Sequence, residues 1–215
     1  MKHQLKILFL AIPLLFSCKQ QKEERLLPEL TRAESLMYEH PDSALHILQC
    51  ISANRLKTGQ DNAYYALLLT QARDKNGMMQ KDSVIRVAVH YYDKVENTGM
   101  QAQAYYQWGN VLRGRNEQAG AIHKYYKALS FAEKVDAPKL TGRIYNNMGF
   151  IYYRQRFYDK ADSIYKLVEQ IGYQAKDTSL YSEAITAQAN VQSAQKNYEA
   201  AANELQRALR ALDNF

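Results

Sequence analysis

Residues 105–128 read YYQWGNVLRGRNEQAGAIHKYYKA, and residues 145–168 read YNNMGFIYYRQRFYDKADSIYKLV. Laid over each other at a shift of 40, Tyr105 falls on Tyr145, Gly109 on Gly149 and Leu112 on Tyr152. Ala121 then falls on Ala161, Tyr125 on Tyr165 and Ala128 on Val168. The register continues in both directions without a gap. Upstream, Tyr65, Leu69, Ala72, Lys81, Ile85 and Ala88 occupy the same columns. Downstream, Ile185, Ala189, Gln192, Ala201, Leu205 and Ala208 do so. Only Lys81 and Gln192 leave the size class of their columns. Self-similarity at a fixed period of this length is the sequence signature of stacked helical repeats.

Within one unit the columns stand at positions 4, 8 and 11 and again at 20, 24 and 27, counted from residue 102. Each trio lies on one face of a helix. A small residue recurs on each: Gly109, Gly149 and Ala189 on the first helix, Ala121, Ala161 and Ala201 on the second. Antiparallel helices approach to about 8 Å only where a side chain is nearly absent. Large residues such as Tyr145 and Tyr165 fill the space beside such contacts. The expected fold is all-α, an α-solenoid of about five antiparallel helix pairs over residues 28–215. The pairs are 29–38 with 41–53, 60–75 with 80–95, 99–113 with 117–135, 138–153 with 158–173, and 178–194 with 198–213. Pro28 and Pro138 suit first-turn positions, and Pro41-Asp42-Ser43 opens another helix. Asn116, Asp159 and Thr178-Ser179 are the expected caps or first-turn acids.

The pattern resembles the tetratricopeptide repeat, whose first helix carries an aromatic, then Leu-Gly, then Tyr, and whose second carries Ala, an aromatic and Ala. Tyr105, Trp108-Gly109, Leu112, Ala121, Tyr125 and Ala128 match it, as do Tyr145, Met148-Gly149, Tyr152, Ala161, Tyr165 and Val168. The period of 40 departs from the ~34 residues of the common form. The first pair carries a further likeness. Leu30-x-x-Ala33-Glu34-x-Leu36-Met37 followed by Pro41-Asp42-Ser43-Ala44-Leu45 resembles the start of tetratricopeptide proteins of Bacteroidota. That resemblance implies either a lipoprotein or a membrane-bound regulator with a transmembrane helix and a DNA-binding helix-turn-helix. Neither of those two elements is visible after residue 18. Phe215 follows directly on the second helix of a pair, with no polar helix to cap the stack. The expectation is a truncated stack or a last helix that meets a partner, an oligomer through this helix included.

The N-terminus reads as an address. Lys2, His3 and Lys6 precede Ile7 to Phe16, an almost wholly apolar run. It is too short for a transmembrane helix, which needs about 20 apolar residues. Leu15-Phe16-Ser17-Cys18 follows and resembles a bacterial lipobox. The resemblance implies a signal peptide over 1–17, lipidation of Cys18 and a tether over 18–27. Lys19 beside the cysteine leans towards the outer membrane, and Lys22-Glu23-Glu24 loosely resembles a surface-export signal. The side of that membrane stays open.

Composition sets bounds. Loss of Lys2 and Lys6 takes the net charge from +6 to +4. That is mild, and no clustered basic stripe points to nucleic acid. Cys50 is then the lone remaining cysteine, at an apolar helical position, and a buried thiol is expected. No catalytic motif is present. His40, His46, His90 and His123 form no His-Glu-x-x-His pair, and no Cys/His ligand spacing exists. A phosphate-cradling Gly-x-x-x-x-Gly-Lys and a Gly-x-Ser-x-Gly elbow are both absent. Asp159 and Asp162 sit at first-turn spacing and suit the helix dipole. No enzyme activity, metal or cofactor is expected.

What remains is a surface. In the resembling family, positions 2, 5, 9 and 12 of each first helix line the concave side and touch an extended peptide. On this chain they are Gln103, Tyr106, Asn110 and Arg113, then Arg143, Asn146, Phe150 and Tyr153 with Arg154 beside them, then Glu183, Thr186, Asn190 and Ser193. Amides offer a donor and an acceptor to a peptide backbone. Aromatic rings bury area with few rotamers to freeze, and the arginines suit acidic groups. The leading expectation is a membrane-anchored protein- or peptide-binding scaffold. The alternatives are the sensory ectodomain of a longer regulator and a glycan-uptake accessory lipoprotein with aromatic sugar platforms.

Overall fold

The computed structural model describes residues 26–214, so the leader, Cys18 and most of the tether lie outside the described residues. Ten α-helices follow one another: α1 (Pro28–Leu36), α2 (Pro41–Cys50), α3 (Gly59–Lys75), α4 (Ser83–Lys94), α5 (Thr98–Gly114), α6 (Gln118–Ala132), α7 (Pro138–Arg154), α8 (Tyr158–Gln174), α9 (Thr178–Ala194) and α10 (Tyr198–Asn214). Short 3-10 turns stand at Ala53–Arg55 and Glu133–Val135. Pro28, Pro41 and Pro138 each occupy the first turn of a helix, where the missing N–H has no partner to lose.

The period has a finer grain than 40. Glu96, Asn116, Asp136, Arg156, Lys176 and Lys196 all have positive φ, between 48° and 67°. They recur every twenty residues, once between each pair of successive helices from α4 onward. At each, the following N–H reaches back five residues. Glu117 donates to Leu112 O at 2.9 Å, Phe157 to Tyr152 O at 2.9 Å and Asp177 to Gly172 O at 2.9 Å. This is a left-handed helix stop that satisfies carbonyls at the end of the outgoing helix. The unit is therefore two near-equal halves of helix plus a tight turn. The turn also corrects the capping expectation: Asn116 is the left-handed residue, not a cap. The caps are Thr58, Asn97 and Asp177, whose side chains accept from Asp61, Met100 and Leu180 N–H. Thr178 is one residue inside.

The α3–α4 connection differs. Gly77 takes the positive φ of 66°, and a longer link follows. Gln80 donates its amide to Thr70 O at 2.9 Å and ties the link down. α4 begins at Ser83 rather than residue 80, which is why Lys81 stands exposed in a column of buried alanines. Cys50 also departs from expectation. It is exposed at the end of α2, its sulfur 3.8 Å from His46 Nε2. Ala44 and Leu48 take the buried face of that helix instead.

The core is a string, not a sphere. One cluster runs through α1–α5 around Leu30, Leu48, Leu68 and Ile85. A second joins α5–α7 around Tyr125, Ile144 and Met148, and smaller ones join α7–α9. Each pair thus buries its apolar face only against its neighbours. The small residues mark the close contacts. A Cβ on Gly149 would lie 2.7 Å from Tyr165 Cε1, and one on Gly172 would lie 2.7 Å from the Tyr181 backbone N. Gly109 makes the same contact with Tyr125 that Gly149 makes with Tyr165.

Candidate peptide-binding face

The first helices α5, α7 and α9 stand side by side on the inner face. Their turns repeat at the same length, so equivalent residues arrive at equivalent heights. Arg113, Asn146, Phe150, Tyr153, Thr186 and Asn190 line one groove of about 700 Å³. All six were marked from their positions in the repeat. Phe150 is exposed, and the Arg113 guanidinium lies 5.7 Å from its ring centroid. Asn146 donates to Glu183 Oε2 at 3.4 Å, and Thr186 donates to Ser182 O at 2.9 Å. Leu205 and Leu209 of α10 close the far wall. The groove therefore offers apolar walls, the amides of Asn146 and Asn190, and the Arg113 guanidinium, which Asp74 faces at 3.7 Å, with the Glu183 carboxylate also on its lining.

Tyr106 and Arg143 line a second hollow of about 580 Å³, beside Tyr38, Gln71 and Gln103. Arg143 stands 3.8 Å from Asp177 Oδ2, a long pair. Burial pushes the Tyr106 hydroxyl up, and nearby Asp74 adds to it. Arg154 and Ser193 are exposed but line neither hollow.

Asn110 sits differently from its expected place on the open face. It is 3% exposed and forms the hub of an internal network. Its amide donates to Asp74 Oδ2 at 3.1 Å, while its Oδ1 accepts from Tyr125 Oη at 2.9 Å and Asn147 Nδ2 at 2.9 Å. Four helices are joined through one side chain. Burial pushes the Asp74 carboxyl above its usual range, partly offset by Arg113 and by the Asn110 hydrogen bond. Asn190, at the same repeat position, is exposed in the groove. The difference arises because Tyr125 and Asp74 reach Asn110, whereas Leu205, at the position equivalent to Tyr125, offers no hydroxyl.

Repeat arithmetic missed Tyr38 and Lys75, which lie in a turn and at a helix end. Their signal is only spatial. Lys75 Nζ stands 4.3 Å from the Tyr38 ring centroid, and Arg143 Cζ stands 5.1 Å from it. Among the described residues no group of His, Cys, Asp and Glu could hold a metal, and no helix is long and apolar enough to cross a membrane.

A stack of antiparallel helix pairs, each packed on its neighbours, with a lined face along the first helices defines a tetratricopeptide-type α-solenoid. The solved structures similar to it share that architecture. A Rap protein solved in complex with competence and sporulation factor superposes with a TM-score of 0.76 at 14% identity, covering 85% of this chain. The chain spans about half, 52%, of that Rap protein. BtubC from P. vanneervenii gives 0.63 at 19% identity, over 87% of this chain and 76% of its own. Kinesin light chain TPR-like repeats from Podosopora anserina give 0.62 at 12% identity, over 86% and 92%. At such identities the likeness establishes the fold alone. No protein-family model and no curated protein matches the sequence.

Proposed function

We propose that this protein is a non-catalytic scaffold that binds an extended peptide segment of a partner protein along its concave face. The observation that carries the reading is the grouping of Arg113, Asn146, Phe150, Tyr153, Thr186 and Asn190 in one groove of about 700 Å³. Those side chains combine aromatic area with backbone-matching amides, the means by which grooves hold peptides. The similar Rap protein, solved with a bound factor, is consistent with a solenoid of this type holding a ligand.

The test is capture from a membrane extract with the protein and with a Phe150→Ala/Tyr153→Ala variant. Both side chains are at least partly exposed, so the variant should melt within a degree or two of the parent. A protein retained by the first and lost by the second supports the groove. Identical retention by both, or none by either, refutes it.

We also propose, from the lipobox-like Leu15-Phe16-Ser17-Cys18 after an apolar run, that the protein is anchored in the outer membrane through a lipidated Cys18. Two or more acyl chains hold a protein stably at ~0.8 kcal/mol per buried methylene. Cys18→Ser should release the chain from the membrane fraction, and an unchanged distribution would remove the anchor from the proposal.

A further inference from the structure

We propose that the outer face formed by α4 and α6 docks on an anionic phospholipid surface through Arg86, Lys124, Lys127 and Lys134. The face is distinct from the peptide groove, which lies along the first helices, and does not depend on it.

Three rings of the third helix pair form a stack. Tyr105 lies 6.1 Å from Trp108 and 5.7 Å from Phe131, centroid to centroid, at interplanar angles of 23° and 28°. Three ammonium groups stand over it. Lys124 Nζ is 3.6 Å from the Trp108 centroid, while Lys127 Nζ and Lys134 Nζ are 4.9 Å and 5.5 Å from that of Phe131. Burial, with the charge of Arg86 on α4 added, pushes the Lys124 ammonium down. Among the described residues none of these four cations has an ion pair. The carboxylates nearby are committed. Asp93 accepts from Gln101 Nε2 at 3.0 Å and from Tyr105 Oη at 2.8 Å, and Asp82 faces Arg115 at 3.9 Å. Glu133 acts on Tyr145 of the next pair. The helix α6 itself contains no acidic residue.

The repeat shows that packing does not demand these lysines. At a shift of 40, Lys124 and Lys127 align with Ile164 and Leu167 of α8 and with Val84 and Val87 of α4. Ile164 packs in an apolar cluster with Tyr145, and Lys124 stands in the same relation to Tyr105. An aliphatic column has been given two charges, one of them partly desolvated, which stability alone disfavours. Lysines laid along rings present an apolar stem and a charged tip, which suits the headgroup level of a bilayer. Unpaired cations at that level attract anionic lipid. Together with the Cys18 anchor proposed above, docking through this face turns the first helices and their groove away from the membrane.

Trp108 is the single tryptophan of the chain, so its emission reads this face directly. The unlipidated full chain is titrated with two kinds of vesicle, phosphatidylcholine alone and an equimolar mixture with phosphatidylglycerol, each also prepared with brominated acyl chains. The apolar leader contributes equally to parent and variants, so the readout is the change between them. The parent should favour the anionic vesicles, lose that preference as salt is added, and have its Trp108 emission quenched by brominated lipid. Lys124→Ile and Lys127→Leu copy the column as α8 has it, so both should melt no lower than the parent. Each should weaken binding to the anionic vesicles about fivefold. Lys166→Gln removes the same charge from α8, where Asp162 pairs with it at 2.7 Å, and should leave binding unchanged. Anionic-vesicle binding that ignores the Lys124 and Lys127 changes, or that responds equally to Lys166→Gln, would overturn the docking face. So would binding without quenching of Trp108. Variants that lose soluble polyglutamate but keep the vesicles would assign the face to an acidic protein and remove the lipid surface.

Discussion

The fourth and fifth helix pairs are built on one plan and packed in two ways. In the fourth, Tyr165 of α8 lies against Gly149 of α7 and is 3% exposed. In the fifth, Leu205 of α10 stands at the equivalent position, opposite Ala189 of α9, and is 46% exposed. One methyl group on the first helix and the loss of a ring on the second change what the position does. The Gly–Tyr contact fills the interior of a pair. The Ala–Leu version leaves an apolar side chain on the wall of the groove, with Leu209 beside it. Repetition thus supplies a fixed frame, and the departures from it supply the surface.

The comparison breaks most clearly by truncation. Tyr165→Ala should cost about 3–5 kcal/mol, the range for removing a buried large aromatic side chain. Leu205→Ala should cost under about 1 kcal/mol, because much of its area already faces water. Denaturant melts of the two variants decide it. Equal losses would mean that α10 packs as tightly as α8 and that the groove wall is misplaced.

Overpacking asks the same question from the other helix. Gly149→Leu should cost about 1–3 kcal/mol, since the Tyr165 ring already lies where its Cβ would stand. Ala189→Leu should cost less, because Leu205 can turn towards solvent. A melting temperature unchanged by Gly149→Leu would remove the close contact. Gly172→Ala belongs with this group. Its new Cβ would meet the backbone of Tyr181, which cannot rotate away, so a single methyl should cost about 1–3 kcal/mol.

These contacts also show how far the sequence was legible. Columns 40 residues apart exposed the helix pairs, their order and the Gly109 and Gly149 contacts, because close packing demands a missing side chain at a fixed height. Gly142 and Gly172 were not legible. They serve contacts between successive pairs, Gly142 against Leu180 and Gly172 against Tyr181, and neither recurs in every unit. The inner face was read in part. Phe150, Tyr153, Thr186 and Asn190 fall in one groove because repeat position fixes height and facing. Asn110 shared that position, but position does not reveal which neighbours reach it. Tyr125 and Asp74 did, and they drew it inside.

The Asn110 network gives smaller effects. Asn110→Ala should cost about 1–3 kcal/mol by stranding buried partners, with Asn190→Ala near neutral for stability. The buried Asp74 carboxyl adds a pH signature. Its folded pKa is raised, so its contribution favours the folded state at acid pH and fades as pH rises through that value. Asp74→Asn should therefore gain stability relative to the parent as pH rises from the ordinary carboxylate range towards neutrality. A constant difference across that range would show that Arg113 and Asn110 fully offset the burial.

The smallest effect tests what the two pairs share. Arg156 and Lys196 hold φ of 64° and 67° in the turns inside the fourth and fifth pairs. A left-handed conformation costs a residue with a Cβ roughly 1–2 kcal/mol, and glycine avoids that cost while adding freedom to the unfolded chain. Arg156→Gly and Lys196→Gly should each stabilise by about 0.5–1 kcal/mol, and by the same amount. Equal gains, alongside unequal losses at Tyr165 and Leu205, would locate the difference between the pairs in their packing and not in their turns. A gain at Arg156 alone would instead mean that the last turn is held loosely, and that the open wall at Leu205 follows from a frayed α10 more than from the missing ring.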